Sequence, residues 1–201
     1  MSRQLLCALK AAAGASPQLC IPVGMPVRAL LRPVAAAPAD VARLTEWRNR
    51  HVRSFLTEFE ATPERTERWL RQIVAPRDDK ILFMIDGLDG RPFGYMGLDF
   101  IDWTARSGEA DAVVRGDAAV PGGMKDGLLT LMAWAGSQLG LRQMGVRVLS
   151  DNPGLEFYRK LGFVEQRRAA LRRRDNPYGC AWVEDAAADS GRFLVHMVLA
   201  K

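Results

Sequence analysis

Three stretches of the sequence hold groups that can do chemistry. The first is the turn RGDAAVPGGMKDG, residues 115–127. Glycines that follow a strand and open a helix aim several backbone N–H groups at one spot. The helix dipole adds partial positive charge there, so the turn can cradle a phosphate or pyrophosphate, with Lys125 adding charge. Taken alone, Pro121-Gly122-Gly123 reads first as a tight turn. The second is a pair of carboxylates, Glu109 and Asp111. They alternate along one strand and so share a face, where either can take a proton, bind a substrate or remain a solvated strand-end charge. The third is Tyr158, embedded in DNPGLEFYRKLGFVE, residues 151–165.

The segment around Tyr158 is a short capped helix. Asn152 is a good N-cap, because its side-chain oxygen accepts an unpaired N–H of the first turn, and Pro153 suits the first helical position. Gly162 can adopt the left-handed stop, and Phe163 folds back on the last turn. A strand follows directly.

Composition narrows the alternatives. With 201 residues, 48% apolar and 25% charged, the chain has the size and make-up of one globular domain with a real core. Cys7, Cys20 and Cys180 have no CxxC spacing, and His51 and His196 are the only histidines. That argues against a disulfide framework or a zinc site and fits a reducing, cytoplasmic setting. No apolar run reaches membrane-spanning length. The net charge of +5 draws on the run EQRRAALRRR at 165–174, either a solvated strand face or a contact for a phosphorylated ligand or RNA. In the first 24 residues Arg3, a short apolar stretch and small residues faintly resemble a secretion signal, but Lys10 interrupts it. We expect residues 1–24 to form a mobile leader and residues 25–201 a single domain.

The elements that must position these groups follow from periodicity. VRALLRPV reads as a strand. In DVARLTEWRNRHVRSFL, Val41, Leu44, Trp47, His51 and Phe55 form one helical stripe, with His51 at the edge of the core. Thr62-Pro63-Glu64 opens a second helix to about Val74. KILFMID is apolar on both faces, as a central strand is, and pairs in a hairpin with FGYMGLDFIDW. EADAVVRG is the next strand, followed by the glycine turn and an apolar helix over 124–139. QMGVRVL, the tyrosine helix, FVEQRRAALRRR and RFLVHMVLA complete the order β-α-α-β-β-β-α-β-α-β-β. The crossover helix makes 109–115 and 143–149 parallel neighbours in a mixed, mostly antiparallel sheet, an α/β (α+β) domain. Neither GxGxxG nor a Walker sequence occurs.

Strand, glycine turn, helix, strand and a short tyrosine helix ending in LGF, with LTEWRN near the start, resemble the GNAT superfamily of N-acetyltransferases over about residues 27–200. The resemblance implies a seven-stranded mixed sheet with about four helices, in which the parallel strands 109–115 and 143–149 splay apart. It implies acetyl-CoA as co-substrate and no metal. The pantetheine arm would pair with the edge at Val113, Val114 and Arg115, and the pyrophosphate would lie on the loop of Ala119, Gly122, Gly123, Met124 and Lys125. The family loop pattern, Arg/Gln-x-x-Gly-x-Gly/Ala, falls on Ala119, Gly122 and Met124, so only its glycine matches. The register of the family asparagine that contacts coenzyme A falls on Asp151, with Asn152 one residue later. Tyr158 would donate to the departing thiol, and Glu109, ahead of Asp111, would serve as the base.

Within the superfamily, LTEWRNRHVRSFL followed by TPERTERWL is most similar to enzymes acetylating an amino group on a nucleotide-activated sugar, of the pseudaminic-acid pathway type. Phe55, Glu58, Phe59 and Asp111 would then border the acceptor. The rival acceptors are a protein N-terminus, an antibiotic and a polyamine, and a rival of another class is a non-enzymatic acyl-CoA- or RNA-binding module. A nucleotide sugar would be the small-molecule partner, with nucleic acid and membrane not expected as partners and the oligomeric state open, a homodimer included.

Overall fold

The computed structural model describes residues 2–15, 19–117 and 120–200. Its elements run α1 (Ser2–Ala11), β1 (Ile21–Val23), β2 (Ala29–Pro33), α2 (Pro38–Arg50), β3 (Thr57–Phe59), α3 (Pro63–Trp69), β4 (Ile81–Gly87), β5 (Pro92–Asp102), β6 (Ser107–Arg115), α4 (Gly123–Leu139), β7 (Gln143–Leu149), α5 (Gly154–Lys160), β8 (Phe163–Asn176), β9 (Gly179–Glu184) and β10 (Phe193–Leu199). A 3-10 turn at Val52–Ser54 follows α2, and a π-helical turn at Leu70–Val74 extends α3.

The strands line up in the order β1-β2-β4-β5-β6-β7-β10-β8-β9-β3. Each pairing is antiparallel except β6–β7. This is the mixed α/β arrangement expected from the sequence, with ten strands where seven were expected. The additional strands β1 and β3 have three residues each, too short to show a period, and β9 lies between FVEQRRAALRRR and RFLVHMVLA, where no strand was expected from the sequence.

Helices cover both faces. On one, Leu128 and Leu131 of α4 and Leu155 and Tyr158 of α5 pack on Phe83, Ile85, Met96 and Val146. On the other, Val41, Leu44 and Trp47 of α2 meet Leu82, Met84, Tyr95 and Val114. Strand β4 feeds both cores, because alternate residues point to opposite faces and all seven are buried. Trp47 stacks on Tyr95 with ring centroids 6.3 Å apart, and a Cβ on Gly116 would lie 2.2 Å from its indole. Trp47 thereby ties α2 to the end of β6, next to the glycine turn.

The leader is a correction. Residues 2–11 form a helix whose Leu6 is fully buried and whose Leu9 joins the α4 core, and β1 pairs with β2. Lys10, which breaks the apolar run in sequence, donates to the carbonyls of Val74, Ala75 and Arg77 at the end of the π turn. The residue that argued against a secretion signal is the polar anchor of this helix.

The basic run resolves into an ion-paired strand face. Arg167 bonds Glu184, Arg168 bonds Glu165, Arg172 bonds Asp185 and Arg173 lies 3.0 Å from Asp175. Among the described residues no helix is long and apolar enough to cross a membrane, and no three His, Cys, Asp or Glu side chains gather as a metal site.

Candidate active site

Strands β6 and β7 are hydrogen-bonded from Ser107↔Gln143 to Ala110↔Val146, and the ladder stops there. Beyond Ala110 they part. The cause is local: the pairing of β6 with β5 shifts between Val114↔Tyr95 and Asp111↔Gly97, and Ala112 sits at φ 50° in the left-handed region. One extra residue bends the strand and turns its backbone away from β7. Val113, Val114 and Arg115 therefore line an open cleft of about 860 Å³ together with the α4 turn and Tyr158. His51, placed by the sequence at the core edge, lies on this cleft with Nε2 2.9 Å from the carbonyl of Arg115.

The glycine turn closes one end. Gly122 precedes α4 with φ 76°, a conformation easy only for glycine. A Cβ on Gly123 would sit 2.8 Å from the Phe93 ring, so a side chain there would force the helix start outward. Arg28 bonds the carbonyl of Pro121 at 2.8 Å, and Arg50 bonds that of Gly116 at 2.6 Å, bracing the turn from both sides. Gly122, Gly123, Met124 and Lys125 all line the cleft. First-turn N–H groups of a helix have no intrahelical acceptor, so this end of α4 faces the cleft with donors and positive dipole. Ala119 lies outside the described residues.

Opposite stands the start of α5. Asn152 lines the cleft while its Oδ1 accepts the Gly154 N–H at 2.7 Å; α5 begins at Gly154 with Pro153 at the N-cap, so Asn152 stands one residue before the capping position expected of it. Asp151 does not line the cleft: its Oδ1 is bonded by Arg192 Nε at 3.0 Å. Of the two candidate residues, Asn152 is the one that lines the cleft.

Tyr158 is 8% exposed, held edge-on between Phe157 and Phe163, and lines both the cleft and the groove where β6 and β7 separate. Burial raises its phenol well above the ordinary tyrosine value, and the nearby charge of Asp111 pushes the same way. At neutral pH it is a hydrogen-bond donor.

The two carboxylates occupy different stations. Glu109 lies where β6 and β7 are still paired, with Oε2 2.6 Å from Arg147 Nε. Asp111 lies just past the split and borders both the β6–β7 groove and a second cavity beyond it. Its side chain is 39% exposed, and Lys80 Nζ bonds its Oδ2 at 2.6 Å. Lys80 is itself buried and also paired with buried Asp99, a network that fixes the carboxylate's position.

The second cavity, about 280 Å³, lies between α2, α3 and β3 and takes in Phe55, Phe59, Trp69, Tyr95 and Arg48. Glu58, expected to border the acceptor, does not line it. Alternation along β3 turns Thr57 and Phe59 inward, while Glu58 bonds Trp182 Nε1 at 2.7 Å and Arg192 at 2.8 Å. Burial works against the Glu58 charge, but these two donors outweigh it and hold the carboxyl below its ordinary value. Glu58 thus locks the strand that carries the cavity wall. Lys80 and Arg48 were missed in the sequence; Arg48, four residues after Leu44 on the α2 stripe, was legible as a charge where an apolar residue is expected.

Known structures share this fold. Spermidine N-acetyltransferase from Vibrio cholerae in complex with CoA and spermine superposes with TM-score 0.67 over 86% of this chain and 95% of that one, at 15% identity. A dodecameric structure of spermidine N-acetyltransferase from the same organism gives 0.62 over 86% and 93%, at 17% identity. No curated protein matched by sequence. The family model described as acetyltransferase (GNAT) domain matches residues 28–164, from β2 through α4 and α5 to the start of β8. The chain therefore belongs to the GNAT acetyltransferase domain family, as an N-acetyltransferase with acetyl-CoA as co-substrate.

Proposed function

We propose that the protein acetylates the primary amine of a small molecule at the mouth of the β6–β7 split. The carrying observation is that Asp111 and Tyr158 face one groove, with a coenzyme-sized cleft on one side and a small cavity on the other. Acetyl-CoA would lie along Val113, Val114 and Arg115, its pyrophosphate on the N–H groups of Gly122, Met124 and Lys125, since the Gly123 N–H already donates to the Val120 carbonyl at 2.9 Å, and its pantetheine passing Asn152. The amine would enter past Phe55 and Phe59 to Asp111.

In the reaction the amine nitrogen attacks the acetyl carbonyl carbon, and the carbon–sulfur bond breaks. Asp111 takes the proton the amine loses, directly or through water. Tyr158 donates its hydroxyl hydrogen bond to the sulfur as negative charge collects there, an interaction stronger in the transition state than before it. Here the base is Asp111 in place of Glu109. The reason is position: both carboxylates are ion-paired and both line the groove, but Glu109 sits inside the paired region, whereas Asp111 stands at the split and also borders the second cavity.

Acceptor size favours a small amine. A cavity of about 280 Å³ falls just below the ~300–1,000 Å³ usual for drug-sized ligands, which suits a compact amine better than a nucleotide sugar. The structural neighbours are spermidine N-acetyltransferases, one in complex with spermine, which also supports a small amine over the amino-sugar nucleotide expected from the sequence. The test is coenzyme A release with a panel of amines. Turnover of at least one small amine, with peptide N-termini and amino-sugar nucleotides slower, is expected. Efficient turnover of an amino-sugar nucleotide alone would contradict the assignment.

A further inference from the structure

The acceptor cavity holds a charge that the protein does not balance. Arg48 projects from α2 between two aromatic rings, its guanidinium carbon 3.9 Å from the Phe59 centroid and 4.8 Å from that of Phe55. Its hydrogen bonds go to neutral oxygens: the carbonyl of Phe59 at 3.1 Å, the carbonyl of Thr57 at 2.7 Å and Thr57 Oγ1 at 3.2 Å. Arg65, from α3, also lines the cavity; it bonds the carbonyl of Glu60 at 3.2 Å and stacks over the Tyr178 ring at 4.5 Å. Among the described residues neither guanidinium lies within ion-pair distance of a carboxylate. The contrast with their neighbours is sharp: Arg50 pairs with Glu46 and Asp117, and Arg192 with Glu58 and Asp151. The one carboxylate in the cavity wall, Asp111, is already matched by Lys80. Arg48 is also partly desolvated, and burial works against its charge.

Guanidinium stays protonated in proteins and presents a planar fork of donors that fits a carboxylate or phosphate. A partly buried cation without a counter-ion is costly, and an anion entering with the substrate removes that cost. A polycation would instead bring like charges into the same cavity.

Building on the small-amine reading of this site, we infer that the acceptor carries an anionic group as well as its primary amine, on an apolar or aromatic body. The amine meets Asp111, the anion meets Arg48 and Arg65, and the rings of Phe55, Phe59, Trp69 and Tyr95 enclose the body between them. Arg48 and Arg65 are then specificity-determining residues.

The test is a matched series in which only charge changes: 4-(aminomethyl)benzoate, benzylamine and p-xylylenediamine, with 4-(aminomethyl)benzylphosphonate as the phosphorus arm and spermidine as the polyamine. Coenzyme A release is followed for each. The carboxylate or the phosphonate should exceed benzylamine in kcat/KM by about 10- to 100-fold, the range for a charge-assisted hydrogen bond, and the diamine should be slowest. Which of the two anions leads identifies the anionic group. Arg48→Gln should shrink the ratio of anionic to neutral amine by about tenfold or more, with acetyl-CoA affinity as the folding control. Arg48 also ties α2 to β3, so Arg65→Gln, which loses a single carbonyl bond, is the second variant and should shrink the same ratio. Preference for spermidine or the diamine, or a ratio unmoved in both variants, would overturn the inference while leaving small-amine transfer standing. No turnover of any amine in the series, spermidine included, would overturn the small-amine reading and this inference with it.

Discussion

Tyr158 is the residue whose role is most sharply testable. Replacing it with Phe keeps the ring in its pocket between Phe157 and Phe163 and removes only the hydroxyl. General-acid contributions run to about 10²–10⁴-fold, so turnover should fall toward the lower end of that range with acetyl-CoA affinity nearly unchanged. Equal kcat for the two proteins, measured where chemistry limits the rate, would make Tyr158 a packing residue. Its raised pKa has a second consequence. Below about pH 10 the phenol is protonated both folded and unfolded, and above it the unfolded chain ionises first, so stability falls as pH climbs. Tyr158→Phe should flatten that alkaline decline in chemical denaturation; Tyr95, raised by burial in the same direction, retains the remainder. For the carboxylates, Asp111→Asn should cut kcat/KM for the amine by about 10²-fold or more, and Glu109→Gln by much less. The reverse order would restore Glu109 as the base. At this scale the sequence pointed to Tyr158 and to Glu109 and Asp111, which line one groove. The resemblance ranked Glu109 ahead of Asp111; Lys80, thirty-one positions before Asp111, bonds the carboxylate at the split, a contact no local pattern announces.

Among the elements, the bulge at Ala112 and the turn before α4 make the site. Gly122→Val would force a β-branched side chain into φ 76°, a left-handed conformation costing about 1–2 kcal/mol or more, and would crowd the anion-binding end of the helix. Acetyl-CoA affinity should drop at least tenfold while the melting transition stays cooperative; unchanged affinity would move the pyrophosphate elsewhere. Apolar patterning over 40–56, 80–86 and 143–149 pointed to the first long helix, the central strand and a partner strand for 109–115, and the resemblance implied that the parallel pair opens; the helix itself stops at Arg50, so Phe55 lies beyond it. Three short or embedded strands were not legible, since Thr57–Phe59 is a strand only because Gly179–Ala181 lies beside it. The same tertiary pairing sets which way Glu58 faces, so its assignment to the acceptor could not be corrected from sequence.

For the whole molecule, the N-terminal segment is part of the packed body. Leu6 and Leu9 insert beneath α4, so Leu6→Ala should lower unfolding free energy by about 2–5 kcal/mol, and removal of residues 1–24 should lower it further and expose β2. A truncated protein with an unaltered denaturation midpoint would show that this helix contributes nothing to the core. The reading of a separable leader rested on residues 1–24 lying before the part that resembles the superfamily, and Lys10 meets three carbonyls that no local pattern announces. The central claim concerns where acetyl-CoA lies, and hydrogen–deuterium exchange of the intact protein with and without it tests that claim most directly. Protection is predicted at 113–115, 122–125 and 152–158, with α1 and β8–β9 unchanged. Saturating acetyl-CoA that leaves 113–115 and 122–125 exchanging as in the free protein, or protects only 48–59, would contradict the account.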